Sequence, residues 1–256
     1  MNTHSEKIVI TPGNWYNGVE VPDLYPNDWI VMDADAQFSF QEKTATHILL
    51  KEHKVIYPGL IGGKMGLCIH LFQTARLSKN NKYEVIATDL LENIYENISL
   101  CREFDFGKYG ILGVAAGIQF LIEENYVQGN ANEVLGEIDT LVRNSVFECL
   151  SQSLSRLSDL LDYLILRLKY NLSLNEPVQI QQLYDTIRTL LSYFEKQLIQ
   201  NDAVNERALC LLDKLREIKH LKLHVEEVLF RLMNVDNLTN EYINARMKNL
   251  LTSPLR

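Results

Sequence analysis

The chain has 256 residues, of which 46% are hydrophobic and 23% charged, and its formal net charge is −8 with a pI near 5.3. This composition is typical of a folded protein with a buried core, organised as one large domain or two small ones. The acidic balance argues against a nucleic-acid partner, because a protein that binds the phosphate backbone needs a basic face to displace counterions.

The lack of a recognisable targeting signal or transmembrane run, together with the cysteine spacing, predicts a cytoplasmic protein without a membrane partner. Residues 1–20 contain no basic stretch followed by a long apolar one, so we expect no secretory signal peptide. No uninterrupted apolar run approaches the roughly 18 residues that a transmembrane helix needs. The four cysteines are far apart in the sequence and include no Cys-x-x-Cys pair, which predicts reduced and mostly buried thiols. They are Cys68, Cys101, Cys149 and Cys210.

The first 58 residues differ in composition from the rest of the chain. They contain both tryptophans, four of the six prolines, and eight acidic residues against four lysines. Short apolar runs such as Lys7-Ile-Val-Ile10 and Asp28-Trp-Ile-Val-Met32 are interrupted by Pro, Gly and Asn. This pattern predicts a small strand-containing N-terminal segment over residues 1–58, followed by a helical domain over residues 59–256.

A glycine-rich pattern occurs twice and indicates a duplicated helix-pair unit. Gly59-Leu-Ile-Gly-Gly-Lys-Met-Gly66 opens one apolar segment, and Gly110-Ile-Leu-Gly-Val-Ala-Ala-Gly117 opens another. The same offset of 47 residues separates Gly63 from Gly110 and Gly66 from Gly113. Two Gly-x-x-Gly helix starts at one offset are typical of an internal repeat.

Apolar residues recur at helical spacing from residue 64 onward, which predicts a mainly α fold. Pro177 is expected at the start of a helix, where its missing N–H does no harm. Three further helices are predicted near residues 203–218, 221–234 and 238–251. No glycine follows Gly136. The predicted apolar stripes are Tyr83, Ile86, Leu90, Ile94 and Ile98; Val134, Ile138, Leu141 and Val146; Leu154, Leu157, Leu161, Leu164 and Leu168; and Leu183, Ile187, Leu190, Phe194 and Leu198.

The two glycine-rich starts have two interpretations that the sequence leaves open. The exposed N–H groups of a helix N-terminus can receive a carboxylate or a phosphate. Alternatively, the glycines allow helices to pack closely where a Cβ atom would clash. Lys64 follows two glycines, but the Walker spacing is absent, so a nucleotide phosphate loop is excluded.

No catalytic or metal-binding signature is visible in the sequence. His220 and His224 are four residues apart on one predicted helical face, but no further metal-ligand motif accompanies them. His70 falls within the first apolar helix, where a hydrogen-bonded core or rim position is expected. A Gly-x-Ser-x-Gly nucleophile elbow is absent, and no histidine–acid pattern accompanies the cysteines.

Residues 59–138 resemble the lanthionine synthetase C-like family, the LanC-like cyclases. The resemblance is carried by Gly59-Leu-Ile-Gly-Gly-Lys-Met-Gly-Leu67, by residues 83–96, and by Tyr109-Gly-Ile-Leu-Gly-Val-Ala-Ala-Gly-Ile-Gln-Phe-Leu-Ile122. The last stretch is similar to the family's Gly-x-x-Gly-x-Gly-x-Gly helix start, with Ala115 in place of the third glycine. The resemblance implies an α/α toroid, which two glycine-rich repeats would form only in part.

Active members of this family bind zinc through two cysteines and a histidine and activate a peptide thiol. This chain has neither the Cys-His pair nor the Trp-Cys pair of the family's zinc motifs, so the resemblance implies a truncated or degenerate member without zinc or another cofactor. By the same resemblance, a peptide would contact the glycine-rich helix starts and the first apolar helix. These residues are Gly62, Gly63, Lys64, Gly66, Gly110, Gly113, Gly117 and His70.

The sequence therefore predicts an incomplete α/α toroid or helical-repeat array with a small strand-containing N-terminal segment. The leading hypothesis is a non-catalytic LanC-like protein that binds a precursor peptide or a peptide-modifying enzyme in ribosomal-peptide maturation. One alternative is an active cyclase-like enzyme that uses Cys68, His70 or the His220–His224 pair. The other is a helical scaffold for protein–protein contact. A cavity lined by the glycine-rich starts would favour ligand binding, and a filled core would favour the scaffold.

Overall fold

The computed structural model describes residues 8–9, 31–32, 57–98, 101, 104–107, 109–149, 153–200, 204–234 and 241–252. Over these residues the chain is mainly helical, which confirms the predicted fold class, and the succession of helices is compatible with a helical-repeat array. The chain divides into two compact units, residues 1–138 (unit 1) and residues 139–256 (unit 2). None of the described helices is both long enough and apolar enough to cross a bilayer.

Two short strands form the described part of the N-terminal segment. Strand β1 (Ile8–Val9) pairs antiparallel with strand β2 (Val31–Met32), so that Ile8 lies opposite Met32. The rest of residues 1–56, including His47 and His53, lies outside the described residues. The predicted strand-containing segment and its boundary at residue 58 therefore stay predictions.

Unit 1 is organised around its first helix. Helix α1 (Lys64–Ser78) is buried on nearly every side from Met65 to Phe72, as expected for a helix at the centre of a core. Helix α2 (Asn81–Glu96) packs along α1, and helix α3 (Ile111–Glu123) packs against it from another side. The short helix α4 (Ala131–Val134) packs against α3.

The duplicated start predicted from the glycines is present in the backbone. Gly63 is the N-cap of α1 with φ −117° and ψ 178°, and Gly110 is the N-cap of α3 with φ −106° and ψ 159°. The next helix begins at an asparagine cap in both cases, because Asn80 accepts a hydrogen bond from the N–H of Lys82 and Asn130 accepts one from that of Asn132. The two segments therefore start their helices in the same way.

Unit 2 consists of amphipathic helices without glycine. Helix α5 (Gly136–Cys149) begins in unit 1 and continues into unit 2, and it is followed by α6 (Leu154–Leu174), α7 (Pro177–Gln200), α8 (Glu206–Arg216), α9 (Lys222–Met233) and α10 (Glu241–Thr252). Helices α6 and α7 form an extensive antiparallel hairpin. Asn175 ends α6 in the left-handed conformation (φ 57°), and Pro177 then opens α7 as predicted.

Most predicted apolar stripes form the core, with one exception. Four of the five residues of the α6 stripe and four of the five in α7 are buried. Of the stripe predicted on Val134, Ile138, Leu141 and Val146, Ile138 is buried as expected, but Val134 and Leu141 are 41% and 50% exposed, and Val142 is buried instead. The side chain of Val146 lies outside the described residues. The chain leaves the helix between α4 and α5, which changes the helical phase of the residues that follow.

Candidate functional site

The two glycine-rich helix starts lie against each other in unit 1. The N–H of Leu60 donates to the carbonyl oxygen of Gly107 over 3.3 Å, which joins the loop before α1 to the loop before α3. A Cβ atom at Gly113 would lie 2.8 Å from the Leu60 nitrogen and from the Phe106 and Gly107 carbonyl oxygens. A Cβ atom at Gly117 would overlap the Met65 side chain. The glycines are therefore needed for close packing, and the space between the starts is filled.

The backbone donors at the start of α1 already have partners within the loop. The N–H of Lys64 donates to the carbonyl oxygen of Tyr57 over 2.7 Å, and that of Met65 is shared between Pro58 and Gly59. The loop reaches this geometry through Gly62, whose φ of 62° is readily adopted only without a side chain. Because these N–H groups are satisfied, they are not free to receive a ligand carboxylate.

The other predicted site residues of unit 1 also make internal contacts. The Lys64 ammonium donates to Asn93 Oδ1 over 2.7 Å, which links the start of α1 to α2. Gly66 and His70 are buried within α1. Gly110 caps α3, where a Cβ atom would overlap the Asp105 backbone. These contacts give the residues a structural role, and their contribution to peptide binding stays a prediction.

Cys68 is a poor candidate for a nucleophile. Its side chain is fully buried, and its Sγ atom donates to the carbonyl oxygen of Ala87 over 3.3 Å. Burial raises the pKa of the Cys68 thiol far above its ordinary value, because a thiolate in the core would lose its hydration. The thiolate is the reactive form, so this cysteine is chemically inert while unit 1 is folded.

The predicted placement of His220 and His224 on one helical face is wrong. His220 lies in the turn between α8 and α9, where its ring contacts Tyr184 edge-on at a centroid distance of 5.5 Å. Only His224 belongs to α9, and its Nδ1 atom lies 4.0 Å from a Glu227 carboxylate oxygen. The helix is interrupted between α8 and α9 by a turn in which the N–H of Leu221 donates to the carbonyl oxygen of Ile218 over 2.8 Å.

The described residues do not fit the zinc chemistry of the LanC-like cyclases. Within the described ranges, no three His, Cys, Asp or Glu side chains come together in a way that could hold a metal ion. A catalytic zinc needs three protein ligands around one position. We therefore assign no step to zinc.

An open apolar cleft of about 380 Å³ also lies in unit 1, and it was not predicted from the sequence. One wall is the C-terminal half of α2, which contributes Leu91, Glu92, Tyr95 and Glu96. The volume is within the roughly 300–1,000 Å³ that ligand pockets occupy. Tyr95 is 63% exposed and forms part of the rim. The cleft can therefore receive apolar side chains from a partner without rearrangement of the core.

The opposite wall comes from α3 and the segment that leads into α4. Ile118 and Ile122 project from α3, and Val127, Gln128 and Val134 complete the lining. Ile118 is nearly buried, whereas Val134 is 41% exposed. Val134 was predicted to belong to the core, but it is exposed and lines the cleft.

The polar groups of the cleft carry a negative charge. Glu92 and Glu96 are the charged residues of the lining, and both are exposed. They are four residues apart on α2, which places them about 6 Å apart along the helix axis. Asp89 is exposed one turn earlier and continues the same row, because positions 89, 92 and 96 lie on one helical face. We call Asp89, Glu92 and Glu96 the carboxylate row.

Comparisons of the chain with protein-family models, with curated proteins and with solved structures find no match.

Proposed function

We propose that this chain is a non-catalytic peptide-binding protein whose cleft between α2, α3 and α4 receives apolar side chains of the peptide. The observation that carries this proposal is the cleft, which combines an apolar lining with two carboxylates at its edge. Peptide-binding grooves use this arrangement, in which apolar pockets supply affinity and a few polar groups fix orientation. The resemblance to LanC-like proteins favours a precursor peptide from ribosomal-peptide maturation as the partner.

We propose a non-catalytic function because the cysteine and histidine side chains that could act in catalysis are buried or do not share a helix. Cys68 is a buried thiol with a raised pKa, and His70 is buried in the same helix. His220 and His224 do not share a helix. These placements support binding over the alternative of an active cyclase-like enzyme. A cytoplasmic setting is part of the proposal, and it is supported by the free thiols of Cys68, Cys101 and Cys210.

A protein–protein scaffold is the second candidate, and exposed apolar residues in unit 2 favour it. Leu223 and Phe230 are 72% and 63% exposed and lie seven residues apart, on one face of α9. Two large apolar side chains on one helical face are typical of a contact surface. The two candidates therefore predict contacts at different places, in unit 1 or at α9.

Site-specific photo-cross-linking distinguishes these candidates. We replace Tyr95 by p-benzoylphenylalanine in the cells that produce the protein, and we use Phe230→p-benzoylphenylalanine as the matched control because both residues are 63% exposed. Peptide binding predicts a small-peptide adduct at position 95 that is absent at position 230. A protein adduct at position 230 together with no adduct at position 95 would contradict the proposal and favour the scaffold.

A cleft-filling variant supplies a second control. Val134→Trp places an indole at the edge of the cleft, whereas Val178→Trp makes the same change at an exposed position of unit 2. We expect the first change to abolish the adduct at position 95 and the second to leave it unchanged. An adduct that survives Val134→Trp would show that the peptide contacts Tyr95 from outside the cleft.

A further inference from the structure

The carboxylate row has no cationic partner among the residues that the structure describes. Asp89, Glu92 and Glu96 form no ion pair with any described residue. The ion pairs that join two described residues all lie in unit 2. Neighbouring like charges on one helical face repel each other. The carboxylate row therefore costs unit 1 some stability, which a cationic ligand would recover.

The charge of unit 1 as a whole has the same sign. Unit 1 contains 18 of the 33 acidic residues and 10 of the 25 basic ones, so it carries the entire net charge of −8. Unit 2 has 15 of each and is neutral. A uniform negative field attracts cationic ligands and accelerates their association.

From the cleft and the carboxylate row together, we infer that the ligand is a cationic amphipathic helix, and this inference rests on the proposed peptide-binding function. Its apolar face fills the cleft, and its basic side chains run alongside α2. Because the carboxylates occupy positions i, i+3 and i+7 of one helix, lysines or arginines at the same intervals in the ligand face them one to one. Specificity then comes from the charges and affinity from the apolar contact.

Charge also argues against two other occupants of the cleft. Residues 1–58 of the chain carry eight acidic residues against four lysines, so this segment has the same sign as the carboxylate row. A second copy of the chain carries −8 and is repelled for the same reason. A cationic peptide from another molecule is the electrostatically complementary partner.

The test compares two designed peptides that differ only in charge. Both are fluorescein-labelled 18-residue amphipathic helices with the same leucine stripe, one with lysines at i, i+3 and i+7 beside the stripe and the other with glutamines there. Fluorescence anisotropy measures their affinities for the full chain in 50 mM and 500 mM NaCl. We expect the lysine peptide to bind about tenfold more tightly at low salt, and roughly twofold more tightly at high salt, because salt screens exposed charges.

Two triple variants with the same net charge test whether the preference for the lysine peptide depends on the carboxylate row. Asp89→Asn, Glu92→Gln and Glu96→Gln together should remove the preference for lysine, so that the two peptides bind this variant with equal affinity. The control Glu176→Gln, Asp185→Asn and Glu217→Gln removes three exposed carboxylates from unit 2 and should keep the preference.

The outcomes separate the inference from the proposed function. Equal binding of both peptides by the unsubstituted chain would overturn the inference and leave peptide binding intact. A lysine preference that survives loss of the carboxylate row would also overturn it. Binding of neither peptide would contradict the proposed function itself.

Discussion

Unit 1 and unit 2 are both built mainly from helices over their described residues but use their polar residues differently. In unit 2 the acidic side chains neutralise basic ones, as in the buried contact of Asp139 with Arg167 and Tyr163. In unit 1 the described acidic side chains of α2 face solvent. All twelve glycines precede residue 137, so the close contacts that depend on glycine occur in unit 1.

Charged residues therefore have two roles in this protein. In unit 2 they stabilise the fold through ion pairs, and on α2 of unit 1 we propose that they bind a ligand. A buried ion pair is satisfied within the fold and is costly to break, so it has nothing to offer a ligand. An exposed carboxylate without a partner contributes little to stability and is free to pair with a ligand. Apolar packing without ion pairs therefore holds the described part of unit 1 together, and its acidic residues are left for binding.

The largest effect is expected in unit 2. Asp139→Ala removes the carboxylate that pairs with the Arg167 guanidinium, a group that is only 1% exposed, and so takes a counter-charge away from a buried cation. We expect a loss of about 3–5 kcal/mol in the free energy of unfolding of unit 2, measured by hydrogen exchange of α6. Asp185→Ala removes only exposed contacts, namely the 3.8 Å pair with Arg188 and the hydrogen bonds that Asp185 accepts from Gln181, and should cost about 0.5–1 kcal/mol. An equal loss of unfolding free energy in the two variants would contradict the view that the buried Asp139–Arg167 pair contributes more than the exposed Asp185–Arg188 pair.

A smaller effect is expected from the glycine contact in unit 1. Gly113→Ala places a methyl group 2.8 Å from backbone atoms that cannot move away independently, and we expect a loss of about 3 kcal/mol. The measurement is hydrogen exchange of α1. The matched control is Gly136→Ala, since a Cβ atom there meets nothing within 4 Å, and it should be neutral or stabilising by about 0.5 kcal/mol. A tolerated alanine at position 113 would contradict the packing role of the glycines.

The third effect concerns pH and again involves unit 1. Burial raises the pKa of the Cys68 thiol above that of the unfolded chain, so only the unfolded state ionises at moderately alkaline pH. The stability from the neutral thiol is fully present below about pH 8.5 and falls above it, by about 1.4 kcal/mol per pH unit. Cys68→Ala should remove this slope, whereas Cys210→Ala, at an exposed position, should retain it. Denaturant unfolding at pH 7.5 and pH 10 provides the comparison.

The sequence predicted the elements that depend on local pattern. Gly63 and Gly110 marked two helix starts, and Pro177 marked a third, because backbone conformation at these positions is decided by the residue itself. Periodicity also identified the core faces of the long helices α6 and α7. It failed at Val134 and Leu141, since the helix is interrupted between these two residues and the buried face of α5 runs through Ile138 and Val142.

The cleft could not be predicted in the same way. Its walls come from residues 91–96 and 118–134, and only the packing of α1 against both α2 and α3 brings them together. The glycine repeats drew attention to the starts of α1 and α3, where the structure shows filled packing. The acidic residues of α2 were not singled out in the sequence, because an ordinary solvated helical face has the same pattern.

The most direct test of peptide binding in the cleft is a methyl NMR titration of the full chain with the lysine peptide. We predict that the δ1 methyl signals of Ile118 and Ile122 shift, while those of Ile69 in the core of unit 1 and Ile187 in unit 2 do not. Shifts centred on Leu60 and Met65 would instead place the ligand at the glycine-rich starts. Shifts confined to unit 2 would contradict the assignment of recognition to unit 1.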